Sequence, residues 1–181
     1  MPHHSVYFQR ETIRRLCWLV VLFISFSQCS RNAHLRQLNA EIIRLQSRLA
    51  TQPDATLDLK TAQQLIDRSQ LYARNFPQDS LAPVYLFRAA DVARGIGQYD
   101  LSVTLWEKVQ QIYPGFSKVP DALFMQGFTY ENNLKNTCLA RQCYKFFLQR
   151  YPQHHLRRTV QTSLQQLDKT PAELIEQFKQ Q

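Results

Sequence analysis

The sequence predicts an all-α protein built from antiparallel pairs of helices. Gly and Pro are scarce, with 4 and 8 among 181 residues, whereas chains made of strands need frequent turn residues. Good helix formers such as Gln, Leu, Arg and Ala are abundant instead. Because 44% of the residues are hydrophobic, the chain can bury a core of its own.

An internal repeat is the third observation behind this prediction. An aromatic residue followed by Pro occurs three times, at Phe76-Pro77, Tyr113-Pro114 and Tyr151-Pro152. The pairs are separated by 37 and 38 residues. Each pair predicts the end of a helix, because the proline ring cannot continue a helix and has no N–H to donate. A period of this length is typical of stacked helical repeats.

Residues 1–28 predict an export signal. Arg10, Arg14 and Arg15 precede an apolar run over residues 16–26, which is short of the roughly 20 residues that a transmembrane helix needs. A basic flank followed by a short apolar run is typical of a secretory signal.

The end of this signal allows three interpretations. Residues 26–30 resemble the lipobox of bacterial lipoproteins, which would make Cys29 the lipidated residue. Alternatively, signal peptidase cleaves before Gln28, since Ser25 and Ser27 are small residues at the required spacing. In the third interpretation, the segment is not cleaved and stays in the membrane as an anchor. We favour lipidation, because a Cys directly after an apolar run is uncommon, and acyl chains would hold the protein on a membrane.

Residues 29–55 predict a lipid-anchored linker and an amphipathic helix. The helix carries an apolar heptad seam at Leu35, Leu38, Ile42, Leu45 and Leu49. The seam favours either a homo-oligomeric coiled coil or packing on the following domain. Two heptads are marginal for a coiled coil. Ile43 is expected to widen the seam and thereby to favour packing, and Pro53 is expected to end the helix.

Residues 56–181 predict a repeat domain. It divides into a half repeat over 57–77, full repeats over 82–114 and 119–152, and capping helices over 154–179. Asp58 is a candidate N-cap of the first helix. Residues 170–173 have the pattern of a capping box at the start of the last helix.

Small and large residues alternate at the expected packing positions of both full repeats. These positions are Leu86, Ala89, Ala90, Ala93, Ser102, Trp106 and Val109, then Leu123, Gly127, Tyr130, Ala140, Tyr144 and Phe147. This pattern resembles the tetratricopeptide repeat family, which implies a short α-solenoid of stacked helix pairs. Ser102 replaces the family's usual Ala. Gly127 and Ala90 are expected where two helices cross closely.

The aromatic-Pro endings resemble a subgroup of this family in bacterial envelope proteins. The subgroup includes the lipoprotein of the outer-membrane β-barrel assembly machinery and the periplasmic coiled-coil repeat protein that works with Tol–Pal. The resemblance implies an exported protein on the periplasmic face of a membrane, with the outer membrane favoured and the soluble periplasm as the alternative.

The family resemblance also implies a function, which is binding of envelope proteins or peptide segments. By the family's pattern, the concave surface would be formed by Val84, Phe87, Asp91, Arg94, Asp121, Phe124, Phe128, Glu131 and Asn132. The three phenylalanines are either anchors for a partner or residues buried under a neighbouring helix.

The sequence predicts neither an enzyme nor a cofactor or metal site. The four glycines match no phosphate-binding loop. His154 and His155 are expected on a helix, where adjacent residues do not share a face. Cys138 and Cys143 are expected to be small buried hydrophobes.

The net charge of +8 is scattered along the chain, so it does not predict nucleic-acid binding. Attraction to anionic lipid through the basic stretch at residues 154–158 is an alternative function.

Overall fold

The structure is a computed structural model that describes residues 32–51 and 58–167. Within these ranges the regular structure consists of seven helices. The predicted signal, Cys29 and the capping box at 170–173 lie outside the described residues. Among the residues described, no helix combines the length and the apolar character that crossing a bilayer requires.

The chain divides into two compact units, Met1–Ile43 and Arg44–Gln181. The division falls inside the first helix, α1, which comprises residues 32–50. In the first unit Leu38 and Ile42 are buried, whereas Ile43 is 50% exposed. The prediction that Ile43 widens the apolar seam is wrong, because adjacent residues on a helix point in different directions.

The second unit contains the end of α1 and six further helices. These are α2 (Leu59–Asn75), α3 (Leu81–Gly95), α4 (Tyr99–Ile112), α5 (Val119–Asn132), α6 (Thr137–Arg150) and α7 (Arg157–Leu167). The first five of these six helices each pack against the next one along the chain, and short connections make such neighbours antiparallel. The predicted all-α stack of helix pairs is confirmed.

The part of α1 within the second unit lies against α2 and α3. Gln46 Oε1 accepts a hydrogen bond of 2.9 Å from Arg88 on α3, and Leu49 lines a pocket together with Leu65 of α2. For residues 44–50 the seam therefore packs on the following domain. Oligomerisation through the seam stays a prediction.

The predicted N-cap of α2 is confirmed. The carboxylate of Asp58 accepts hydrogen bonds from the backbone N–H, at 2.9 Å, and the hydroxyl of Thr61. Arg48 forms an ion pair with the same carboxylate at 3.1 Å. The hydrogen bonds of Thr61 lower the pKa of Asp58, with a smaller contribution from Arg48.

The three aromatic-Pro pairs form turns with the same backbone geometry. The aromatic residues have φ and ψ of −130° and 56° at Phe76, −125° and 57° at Tyr113, and −128° and 56° at Tyr151. Each of their N–H groups donates to the carbonyl four residues earlier. The helix therefore ends in the same way each time, immediately before the proline.

The third residue after each aromatic residue continues the repeated pattern. Its N–H donates back to the carbonyl of the aromatic residue, with bonds of 2.9 to 3.1 Å at Asp79, Phe116 and His154. Its own carbonyl accepts from the N–H three residues later, which belongs to the first or second residue of the following helix. We call these segments the aromatic-Pro turns.

The two turns inside the helix pairs differ from each other. Between α3 and α4, Gly97 has a φ of 81°, and the N–H of Gln98 donates to the carbonyl of Ala93 at 2.8 Å. This is a Schellman motif, which favours Gly because of its positive φ. Between α5 and α6 the turn is one residue longer, and Lys135 takes the positive φ, at 55°.

The predicted packing residues form the core, with all but Tyr130 buried. Ser102 keeps its position in the core because its hydroxyl donates to the carbonyl of Ala90 on α3 at 2.8 Å. At Gly127 an added Cβ would lie 2.7 Å from Tyr144 Cε1 and 3.0 Å from Cys143 Cβ. The predicted close helix crossing at Gly127 is confirmed.

Helix α7 extends the core beyond the second full repeat. Val160 is buried, and it belongs to one cluster with Leu123, Tyr144 and Phe147. Leu156, Leu164 and Leu167 pack on this cluster while partly exposed. One apolar face of α7 therefore packs on the second full repeat.

The two cysteines of α6 lie in different environments. Cys138 is exposed and Cys143 is half-buried, so the prediction of buried thiols is wrong for Cys138. Five residues along a helix correspond to a rotation of about 140°, which turns one thiol to solvent when the other faces the core. Burial raises the pKa of Cys143 to about 11.

Candidate functional site

The nine side chains predicted to meet a partner lie on α3 and α5, and we call them the α3/α5 face. Two of them, Asp91 and Asn132, are exposed, and the other seven are half-buried. The three phenylalanines are therefore neither fully covered nor fully open. Their accessible rings could contact a partner, and their surroundings differ along the face.

At one end of this face, Phe87 lies in an open pocket of 240 Å³. The pocket is lined by Val84, Phe87, Arg88, Asp91, Phe116 and Lys118. The rings of Phe87 and Phe116 meet edge to face, with centroids 6.4 Å apart. Lys118 Nζ lies 5.6 Å from the centroid of Phe87, a cation–π distance.

In the middle of the face, Arg94 connects α3 to α5. Its Cζ lies 5.8 Å from the centroid of the Phe128 ring. Its Nε is buried and has no hydrogen-bond partner within the described ranges. Phe128 in turn packs against Phe124, with ring centroids 6.1 Å apart.

At the other end of the face, two of the predicted residues are engaged by α6. Phe124 stacks on Tyr144, with centroids 6.3 Å apart, and the hydroxyl of Tyr144 donates to Glu131 Oε2 at 2.6 Å. Burial, together with Glu131, raises the pKa of Tyr144. Phe124 and Glu131 therefore hold α6 against α5.

The charge on the face is positive around the Phe87 pocket. Two cationic side chains, Arg88 and Lys118, line it together with one carboxylate, Asp91, and the charge of Arg94 also acts on Asp91. Desolvation raises the pKa of Asp91, and Arg94 and Lys118 oppose this shift. An acidic group of a partner would meet an excess of positive charge here.

Asp121 differs from the other residues of the α3/α5 face because it lies beside two histidines. Its ligand atom lies within 4.8 Å of those of His154 and His155. These histidines lie in the aromatic-Pro turn before α7, whose first helical residue is Arg157. The expectation that a position on a helix keeps the two histidines apart is wrong.

Sequence reasoning missed Phe116 and Lys118, which complete the Phe87 pocket. Both lie in the connection between α4 and α5, outside the helical positions that the family pattern assigns to binding. A signal was present, since Phe116 occupies the third position of an aromatic-Pro turn.

A second groove, of 670 Å³, lies along α4 and α6. Its lining includes Leu123, Cys143 and several glutamines, and Gln110 donates to Gln126 across it at 2.9 Å. Phe146 lies at its edge and is 46% exposed. The repeat pattern assigns these helices to packing, so sequence reasoning did not consider this groove.

The family model described as tetratricopeptide repeat matches residues 85–115 and 121–154. The matched stretches cover most of the pairs α3–α4 and α5–α6, each with the aromatic-Pro pair that follows it. These helix pairs are thus similar to tetratricopeptide repeats, which generally form non-catalytic scaffolds that bind proteins. A comparison with curated proteins finds no match.

Proposed function

We propose that the chain is a non-catalytic scaffold of a bacterial cell envelope, anchored through a lipid on Cys29, that binds a segment of another protein on the α3/α5 face. The observation that carries the binding proposal is the open Phe87 pocket. It combines aromatic walls with a basic rim, and Phe87, Arg88 and Asp91 of its lining lie within a stretch that matches the repeat family.

The pocket also suggests the chemistry of the bound segment. Phe87 and Phe116 offer apolar surface for one large side chain, since a pocket of 240 Å³ is small. Arg88, Arg94 and Lys118 favour a nearby carboxylate. The partner segment is therefore apolar and acidic, with its anchor side chain against the two phenylalanine rings.

Site-specific photo-crosslinking in cells tests the binding face. A benzophenone amino acid replaces Phe87 or Phe128 on the proposed face, Phe146 at the second groove, and Gln64 on the exposed side of α2. We expect one crosslinked protein band from positions 87 and 128 and none from 64. Crosslinking from 146 alone would assign the partner to the second groove and refute the proposed face.

Once that protein is identified, substitutions measure the contribution of each part of the pocket. F87A removes an aromatic anchor and should weaken binding at least about tenfold, as truncation of a central interface residue commonly does. K118E reverses a rim charge and should weaken binding mainly at low salt. Equal affinity of both variants and the unaltered chain contradicts the proposed chemistry.

Metabolic labelling with palmitate tests the anchor. The chain should incorporate label when produced in a Gram-negative host, and C29S should abolish incorporation. Acylation stabilises membrane attachment by about 0.8 kcal/mol per buried CH₂, so C29S should also move the chain from the membrane fraction to the soluble one. Label that persists in C29S would exclude Cys29 as the attachment point.

A further inference from the structure

Three potential metal ligands meet where α5 begins and the last aromatic-Pro turn ends. Asp121 lies in the first turn of α5, and His154 and His155 follow Pro152. One ligand atom from each residue lies within 4.8 Å of the other two. Asp121 and His154 are half-buried and His155 is exposed, so one side of the cluster is open to solvent.

The fold holds the His154 side chain in place, whereas the exposed His155 side chain can move. The His154 ring packs edge to face on the buried Phe147, with centroids 5.5 Å apart, and its backbone closes the aromatic-Pro turn through a bond to Tyr151. His155 lies alongside, with ring centroids 4.2 Å apart. Its exposed side chain can adjust its rotamer at little cost.

The distances between the three ligand atoms suit a metal ion after a small movement of the side chains. Zinc bonds to nitrogen and oxygen are about 2.0–2.2 Å long, so ligand atoms of a tetrahedral site are about 3.3 Å apart. A rotation of one side chain is enough to bring ligand atoms that lie within 4.8 Å of one another to this distance. The Leu156 N–H contact to His154 Nδ1 is long, at 3.3 Å, and it is given up when either ring nitrogen binds the ion.

We propose that Asp121, His154 and His155 bind a divalent transition-metal ion, for which Zn²⁺ is the probe. Two imidazoles and one carboxylate suit zinc rather than calcium or magnesium, which prefer oxygen ligands. Water completes the coordination on the open side. Arg157 and Arg158, which begin α7 and are exposed, lower the affinity through their charge and do not supply ligands.

Such an ion would connect two elements that are distant in sequence. It would tie the start of α5 to the turn that leads into α7, the last described helix of the second unit. The bound metal would therefore stabilise the C-terminal end of the helix stack. This effect gives the proposal a readout that is independent of partner binding.

Calorimetric titration of the full chain with Zn²⁺ tests the site. D121N keeps the shape of the side chain, and H155A removes an exposed imidazole, so both variants should fold, as circular dichroism will check. His34, an exposed histidine of α1 that lies after the predicted signal, supplies the control H34A. Loss of a zinc ligand should weaken binding at least about tenfold, since even changes around zinc ligands have effects of that size.

We expect D121N and H155A to weaken Zn²⁺ binding and to abolish the rise in melting temperature that Zn²⁺ produces, with H34A unchanged. Substitution with Co²⁺ should give the visible spectrum of a nitrogen–oxygen site without thiolate bands. The proposal is overturned by unchanged Zn²⁺ affinity in D121N and H155A, by thiolate bands with Co²⁺, or by equal binding of Ca²⁺.

Discussion

The two full repeats fill equivalent core positions with different side chains. The equivalent trios are Ala90, Ser102 and Trp106 in the first repeat, and Gly127, Ala140 and Tyr144 in the second. All six residues are buried. In the first repeat a large indole accompanies two small residues, and in the second a phenol ring lies directly against a glycine.

The polar atoms of the two large residues differ as well. The indole N–H of Trp106 is buried and has no hydrogen-bond partner in the described part of the chain. The hydroxyl of Tyr144 donates to Glu131. Both repeats therefore bury a large aromatic side chain at this position, whereas the hydrogen bonds are specific to each copy.

The largest expected effect is the loss of the indole. W106A should lower the free energy of unfolding by about 3–5 kcal/mol, because it removes a fully buried aromatic side chain and leaves a cavity. Urea denaturation measures the loss. F146A, which truncates a half-exposed ring on α6, is the control and should cost much less. A similar cost for both variants would contradict the role of Trp106 in the core.

The Tyr144 hydroxyl should carry the second largest effect. Y144F should cost about 1.5–3 kcal/mol, because it leaves the half-buried Glu131 carboxylate without this donor. A double-mutant cycle with E131Q separates the bond from other effects. A coupling energy near zero would show that the polar difference between the repeats has no consequence for stability.

The close crossing in the second repeat predicts an intermediate effect. G127A should cost about 1–2 kcal/mol, because overpacking against Tyr144 and Cys143 outweighs the gain of about 1 kcal/mol from helix propensity. The control G95A adds a Cβ that meets no atom within 4 Å and should be neutral or stabilising. Equal effects of the two substitutions would show that the crossing tolerates a methyl group.

The smallest effect concerns the thiol beside that crossing. With the pKa of Cys143 raised to about 11, little thiolate forms at pH 8, and iodoacetamide should modify exposed Cys138 first. Peptide mass spectrometry distinguishes the two positions.

The Cys143 thiol ionises near pH 9 in the unfolded chain and near pH 11 in the folded one. Its contribution to the free energy of unfolding is therefore full below pH 9 and declines towards pH 11. Faster modification of Cys143 would contradict its burial.

The helices and their packing could be predicted from sequence because they depend on periodic patterns. The half repeat over 57–77 was predicted to begin with Asp58 as the N-cap of a helix, and the structure has a helix over Leu59–Asn75 with that N-cap. Gly127 was identified as a crossing because a small residue recurred beside large ones. These features follow from local chemistry that repeats every 37 or 38 residues.

The turns could not be predicted in the same way. Phe116, His154 and His155 lie where the chain has no helical period, so the directions of their side chains depend on hydrogen bonds that the sequence does not display. Cys138 shows a related difficulty, since its exposure depends on which side of α6 faces the core. The family pattern located the α3/α5 face but not the residues that complete its pocket.

The aromatic-Pro turns carry a consequence for how such an array changes over time. Their shared hydrogen bonds involve only backbone atoms, so the third position accepts a carboxylate at Asp79, a phenyl ring at Phe116 and an imidazole at His154. One nucleotide change can alter the chemistry presented there while the scaffold keeps its shape. A new ligand-binding side chain can therefore arise at one turn without a compensating substitution elsewhere in the fold.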